Sequence, residues 1–296
     1  MEIPDESQDW QQPMLDIAKG DGDFLPLGDR HWAFFAEHRP KLLVTFEDAA
    51  ALRNSDDKLP EHFQLAKSRG WSLLTILADG ETWWRDPSVY DYFDRLSDDG
   101  FLEDFDSVIF YGAGAAGYAA AAFSIAAPGA ELVLIAPRAT MDPAIVGWDD
   151  RHRSARRLDF SDRYGFAPDM TESASKVWVI HDPQNPPDAM HAALFTRPWS
   201  TPLLARRTGE GTEDTLQEMQ VLHRILEAAM ERKFSAEVFS WLWRGRRSNA
   251  SYLRATLAAA RVSGHPRREA MICRSVTARL DAPRFARRLA ELNGEV

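Results

Sequence analysis

Residues 108–137 read VIFYGAGAAGYAAAAFSIAAPGAELVLIAP. An apolar, aromatic run stops at a glycine-rich turn. An alanine-rich stretch of helical length follows, then a second apolar run after the turn signal Pro128-Gly129. Strand, tight turn, helix and strand in that order form a crossover unit, which places two parallel strands in a sheet covered on both faces. Similar runs recur along the chain: KLLVTF at 41–46, WSLLTILA at 71–78, SVIFYG at 107–112, KVWVI at 176–180 and the weaker TPLLA at 201–205. None alternates apolar with polar, as a half-exposed strand would. Helical stretches separate them near 61–68, 88–96, 115–126 and 188–196. The expected fold class is α/β, a doubly wound, mainly parallel sheet of six strands.

Beyond residue 213 the strand signals stop. Helical stretches follow to the end, broken by SGHP at 263–266 and DAP at 281–283. The expected organisation is an irregular acidic lead-in over 1–30, an α/β domain over 31–212 and an all-helical array over 213–296. Within the lead of the α/β domain, HWAFFAEHRP at 31–40 reads as a helix with an aromatic packing face between two histidines.

Charge is split between the halves. The first 150 residues carry 11 Lys and Arg against 28 Asp and Glu, and the rest carry 24 against 17. An acidic front half excludes a general nucleic-acid binder. The arginine surplus behind it reads as a solvated helical surface or as a face for an acidic protein partner. No apolar run approaches the roughly 18–20 residues of a membrane span. The acidic start has no apolar leader segment, which points to the cytoplasm. One cysteine, Cys273, precludes an intramolecular disulfide.

The glycine-rich turn supports two chemistries. Gly112, Gly114 and Gly117 match the spacing G-x-G-x-x-G of a dinucleotide-binding loop. Such a loop needs an acidic residue about 20 positions on, to hold a ribose. The next strand instead ends at Pro137-Arg138. Arg138 could hold a 2′-phosphate, so this alternative is an oxidoreductase that uses NADP.

The second chemistry comes from a resemblance. FYGAGAAGYAA at 110–120, ELVLIAPRATMDP at 131–143 and HDPQNPPDAMHAALF at 181–195 together resemble an α/β-hydrolase-like family found with bacterial polysaccharide and secretion systems. The likeness runs over about residues 41–230. It implies that the family's nucleophilic serine falls on Gly114, its acid on Asp182 or, second, Asp188, and its histidine on Thr212. Two of the three catalytic positions therefore lack the needed side chain, and acyl transfer by this route requires a nucleophile with a base beside it. The resemblance thus implies a pseudoenzyme, with no cofactor, that binds a small anionic, glycan or acyl ligand. The amides of Ala115 and Ala116 open a helix, and with Gly112, Gly114, Gly117 and a donor at Glu47 they would form an anion site. His181, Asp182, Asp188 and His191 contain ligand types for a metal, but capping and turn-making account for them and no metal is expected. A scaffold role for the helical array is a further alternative.

Overall fold

The computed structural model describes residues 9–294; the first part of the acidic lead-in lies outside them. Eight strands form one sheet: β1 (Gly22–Leu27), β2 (His31–Ala36), β3 (Lys41–Asp48), β4 (Ser72–Ala78), β5 (Ser107–Ala113), β6 (Glu131–Ile135), β7 (Lys176–His181) and β8 (Ser200–Leu204). Their order is β1-β2-β4-β3-β5-β6-β7-β8. β2 is antiparallel to both β1 and β4, and every other pairing is parallel.

β3 to β8 are the six strands expected from their continuous apolar runs. β4 is buried at every position, as a strand covered on both faces must be. The two strands before them depart from expectation. Residues 31–36 form β2, not a helix, and Gly22–Leu27 of the supposed irregular lead-in forms the edge strand β1 after a helix at Gln12–Asp21. The bulky aromatics of β2 suit a pleated strand better than a helical face. His31, its first residue, is 1% exposed and bonds Thr82 Oγ1 at 2.7 Å, so it serves the core.

The helix Gly114–Phe123 packs under the sheet with Tyr118 to Ala122 fully buried. The helical array is not one unit. Helices Thr212–Glu218, Leu222–Met230 and Ala236–Leu242 place Leu216, Ile225, Leu226 and Phe239 in the same core as β5, β6 and β7. Only the last three helices, Ala250–Val262, Pro266–Thr277 and Pro283–Asn293, have a core of their own, built on Leu253, Leu257, Cys273, Val276 and Phe285. The break in the core therefore falls near residue 250 rather than at 213. Trp83 and Trp84 are core residues at 3% and 6% exposure.

Candidate functional site at the sheet's switch point

From β3 the chain crosses to β4 on one side, and from β5 it crosses to β6 on the other. Between β3 and β5 the winding reverses, and in open α/β sheets ligands bind at such a point, beyond the carboxyl ends of the strands. Pairing of β3 with β5 ends at Val44 and Phe110. Past that register the strands separate, and the gap widens into a cavity of about 420 Å³. Thr45 to Asp48 of β3 line one side and Tyr111 to Ala113 of β5 the other, with Glu61, His62 and Glu213 contributed from helix starts.

The elbow after β5 forms one edge of this cavity. A side chain at Gly112 would place its Cβ 2.3 Å from the carbonyl oxygen of Ala116, and one at Gly117 would sit 3.0 Å from the Gly112 oxygen and 3.1 Å from Pro137 Cα. Both glycines are required because helix and strand meet backbone to backbone. Gly114 differs. Its φ is +56°, the left-handed region of a sharp strand-to-helix turn, yet a Cβ there would meet no atom within 4 Å. The chain bends sharply at Gly114 and leaves open space beside it.

The dinucleotide alternative does not fit this arrangement. Two crossovers, β3 to β4 and β4 to β5, precede the glycine turn, whereas a dinucleotide loop opens the first βαβ unit. Arg138, assigned there to a 2′-phosphate, is 8% exposed and donates to the Ala136 carbonyl at 2.7 Å and to Asp188 Oδ1 at 2.9 Å.

Asp182 stands at the end of β7, 2% exposed. Its carboxylate accepts from the amides of Gln184 and Gly209, both at 2.9 Å. Gly209 is therefore the residue of the following loop that meets the acid. Thr212, the residue matched to the family's histidine, is fully buried, and its hydroxyl pairs with that of Thr208 at 2.7 Å. It caps no acid and faces no cavity. Asp188, the second candidate acid, is tied to Arg138, Arg151 and Asn185. His191 bonds Asp149 Oδ2 at 3.0 Å and the Ala139 amide at 3.1 Å. Among the described residues no group of three His, Cys, Asp or Glu side chains is arranged to hold a metal ion.

Sequence reasoning missed the residues that dominate the cavity. Glu47 was expected to lend a donor to an anion. Its carboxylate instead faces the cavity, accepting from the Glu61 amide at 3.0 Å. Burial, with the charge of Glu61 nearby, pushes its pKa up to about 7. Burial also raises Glu61 and Glu213. Tyr111 donates its hydroxyl to Glu213 and is held well above the usual phenol range by burial and by that carboxylate. The His62 ring lies 4.8 Å from Tyr111, and burial pushes its pKa down to about 3. An anion drawn to the Ala115 and Ala116 amides would meet three carboxylates across the cavity, so the wall charge opposes the anionic class of ligand. Glu47 was named from the sequence, but no signal joined it to Glu61, Tyr111 and Glu213, which come from three other segments.

No family model matches the chain, and no curated protein does. Solved structures do. An esterase from Pyrobaculum calidifontis is 16% identical, with 79% of this chain and 95% of that one aligned at a TM-score of 0.46. The capsule O-acetyltransferase of Neisseria meningitidis serogroup A is 10% identical over 71% of this chain and 99% of its own, with a TM-score of 0.44. An α/β serine hydrolase homologue from Coxiella burnetii is 13% identical over 69% and 95%, with a TM-score of 0.41. The chain is thus similar to these proteins at low identity, and its own fold is the mainly parallel α/β sheet with the strand order given above. No helix among the described residues is long and apolar enough to cross a membrane.

Proposed function

We propose that this chain is a catalytically degenerate hydrolase-like protein that holds a small ligand in the switch-point cavity and does not carry out acyl transfer at the elbow. Gly114 carries this reading: it occupies the bend with room for a side chain and supplies none. The acid side supports it, because Asp182 meets a glycine amide where an imidazole would be needed. Loss of a nucleophile or base costs a serine hydrolase about six decades of rate. A fluorophosphonate probe and a set of p-nitrophenyl esters test the reading. Neither labelling nor turnover above buffer is expected, and covalent labelling of any residue beside the elbow would refute it.

A second reading concerns partners. Arg206, Arg207, Arg246, Arg247 and Arg279 line a cleft of about 420 Å³ between the β8 loop and the C-terminal helices. No carboxylate lines that cleft. An acidic segment of a partner protein fits such a surface. Polyglutamate should bind with an affinity that falls steeply with salt, and Arg246→Glu with Arg247→Glu should abolish binding.

A further inference from the structure

We propose that the switch-point cavity recognises its ligand through a protonated amine, received by Glu47, Glu61 and Glu213 with His62 as a neutral acceptor. This rests on the ligand-binding reading above and names the ligand's chemistry.

About half of the wall is apolar, and its polar side chains are carboxylates, hydroxyls and one imidazole. Three glutamates face the cavity, with Thr45, Asp48 and Asp57 beside them, and neither lysine nor arginine lines it. Carboxylates gathered around a cavity repel one another, and positive charge that enters stabilises their arrangement. His62 is an independent pointer. It is 2% exposed, it lines the cavity, and neither ring nitrogen has a hydrogen-bond partner. Buried polar atoms in folded proteins are nearly always paired, so an unpaired imidazole calls for a ligand or water partner. Being neutral, it offers one ring nitrogen as an acceptor. An ammonium group brings three donors and one positive charge, which matches a cluster of carboxylates and an imidazole. A volume of about 420 Å³ suits a ligand of modest size.

The groups facing Glu47 come from every element around it. Glu61 and His62 stand at the start of the helix Phe63–Arg69, Tyr111 on β5, Glu213 and Asp214 on the helix Thr212–Glu218, and His223 on the next helix, its ring 6.2 Å from that of His62. The acids among them hold the Glu47 proton in place near neutrality. Cation binding should expel that proton, so affinity rises with pH as Glu47 ionises.

The test is calorimetric titration of the full chain with phenethylamine, 1,5-diaminopentane and glucosamine, each against its N-acetylated form, and with phenylacetate. At least one ammonium probe should bind, and its acetylated form and phenylacetate should bind at least about tenfold more weakly, the loss expected for a charge-assisted hydrogen bond. Glu47→Gln and Glu213→Gln should each weaken the ammonium probe by about tenfold or more. In the unaltered protein, which needs no variant to fold, affinity should increase between pH 6 and pH 8 with net proton release. No binding of any ammonium probe at millimolar concentration, equal binding of the acetylated forms, or affinity that ignores both pH and the two glutamines would overturn the proposal. Phenylacetate binding alone would remove the amine and leave a ligand-binding pseudoenzyme. Fluorophosphonate labelling would remove the pseudoenzyme and leave amine recognition standing.

Discussion

Two groups of carboxylates lie at the carboxyl end of this sheet, one buried and one partly exposed around a cavity, and their surroundings are opposite. On the β6–β7 side, Asp149 and Asp188 are 1% exposed and are met by cations: Arg151 bonds Asp149 at 2.7 Å and Asp188 at 2.7 Å, and Arg138 bonds Asp188 at 2.9 Å. Burial works against the charge of Asp149, but the hydrogen bonds from Arg151 and His191 hold its carboxyl well below the usual range. On the β3–β5 side, Glu47, Glu61 and Glu213 face a cavity without lysine or arginine, and all three are raised. Perturbed carboxyls alone do not mark a site, since structural ion pairs perturb them too. The direction separates the two roles here. A lowered carboxyl amid arginines holds loops together, while raised carboxyls around a cavity are available to a ligand.

The largest effect expected from breaking this contrast is on the paired side. Asp188→Ala leaves buried Arg138 without its 2.9 Å carboxylate partner, while partly exposed Arg151 keeps Asp149, and removing one partner of a buried ion pair costs about 3–5 kcal/mol. Urea unfolding should show that loss with an unchanged slope. A loss under about 1 kcal/mol, typical of exposed pairs, would mean that the cluster is not structural.

The cavity side should respond in the opposite sense. In the unfolded chain Glu47 ionises near its ordinary 4.5, and in the fold near 7. The fold therefore binds the proton more tightly. That contribution is fully present below pH 4.5 and is lost as pH rises to 7. At about 1.36 kcal/mol per pH unit, and reduced for partial solvent screening, the loss is about 2 kcal/mol. Glu47→Gln carries no charge to bury, so it should be more stable than the parent by that amount at pH 8 and equal to it near pH 4.5. Thermal unfolding at the two pH values measures the difference. A variant destabilised at both would show that the carboxylate is needed for architecture.

This asymmetry also explains what could be read from sequence. The six central strands announce themselves because burial on both faces demands unbroken apolar runs, and the glycine turn does so because Gly112 and Gly117 admit no Cβ. β1 and β2 escaped notice for physical reasons. β1 contains Pro26, is an edge strand and is largely exposed, while β2 is too fully buried to alternate, and two histidines seven positions apart imitate a helical repeat. The cavity was not legible, because its members meet only in three dimensions: Tyr111 and Glu213 are 102 positions apart. Thr212 was misplaced by the same limit. Loop length can be counted in a sequence, but whether the acid meets residue 209 or 212 depends on how the loop folds.

The smallest expected effect is at the elbow itself, and it is the most diagnostic. Gly114→Ser meets no atom within 4 Å, so no packing opposes it. The cost comes from φ of +56°, where an L-residue with a Cβ loses roughly 1–2 kcal/mol relative to glycine. The Asp182 carboxylate is bonded to two backbone amides and not to an imidazole that could take the serine proton. The variant should therefore fold with a stability loss near 1 kcal/mol and remain inert to fluorophosphonate. Labelling of Ser-substituted protein at a rate well above that of the parent would locate a base near the elbow, with Glu47 the first to examine because its pKa near 7 suits proton transfer at neutral pH. Repeating the labelling in the Gly114→Ser, Glu47→Gln double variant would then decide whether a cavity carboxylate serves as base to a serine at this position. Silence in both variants would restrict those carboxylates to binding.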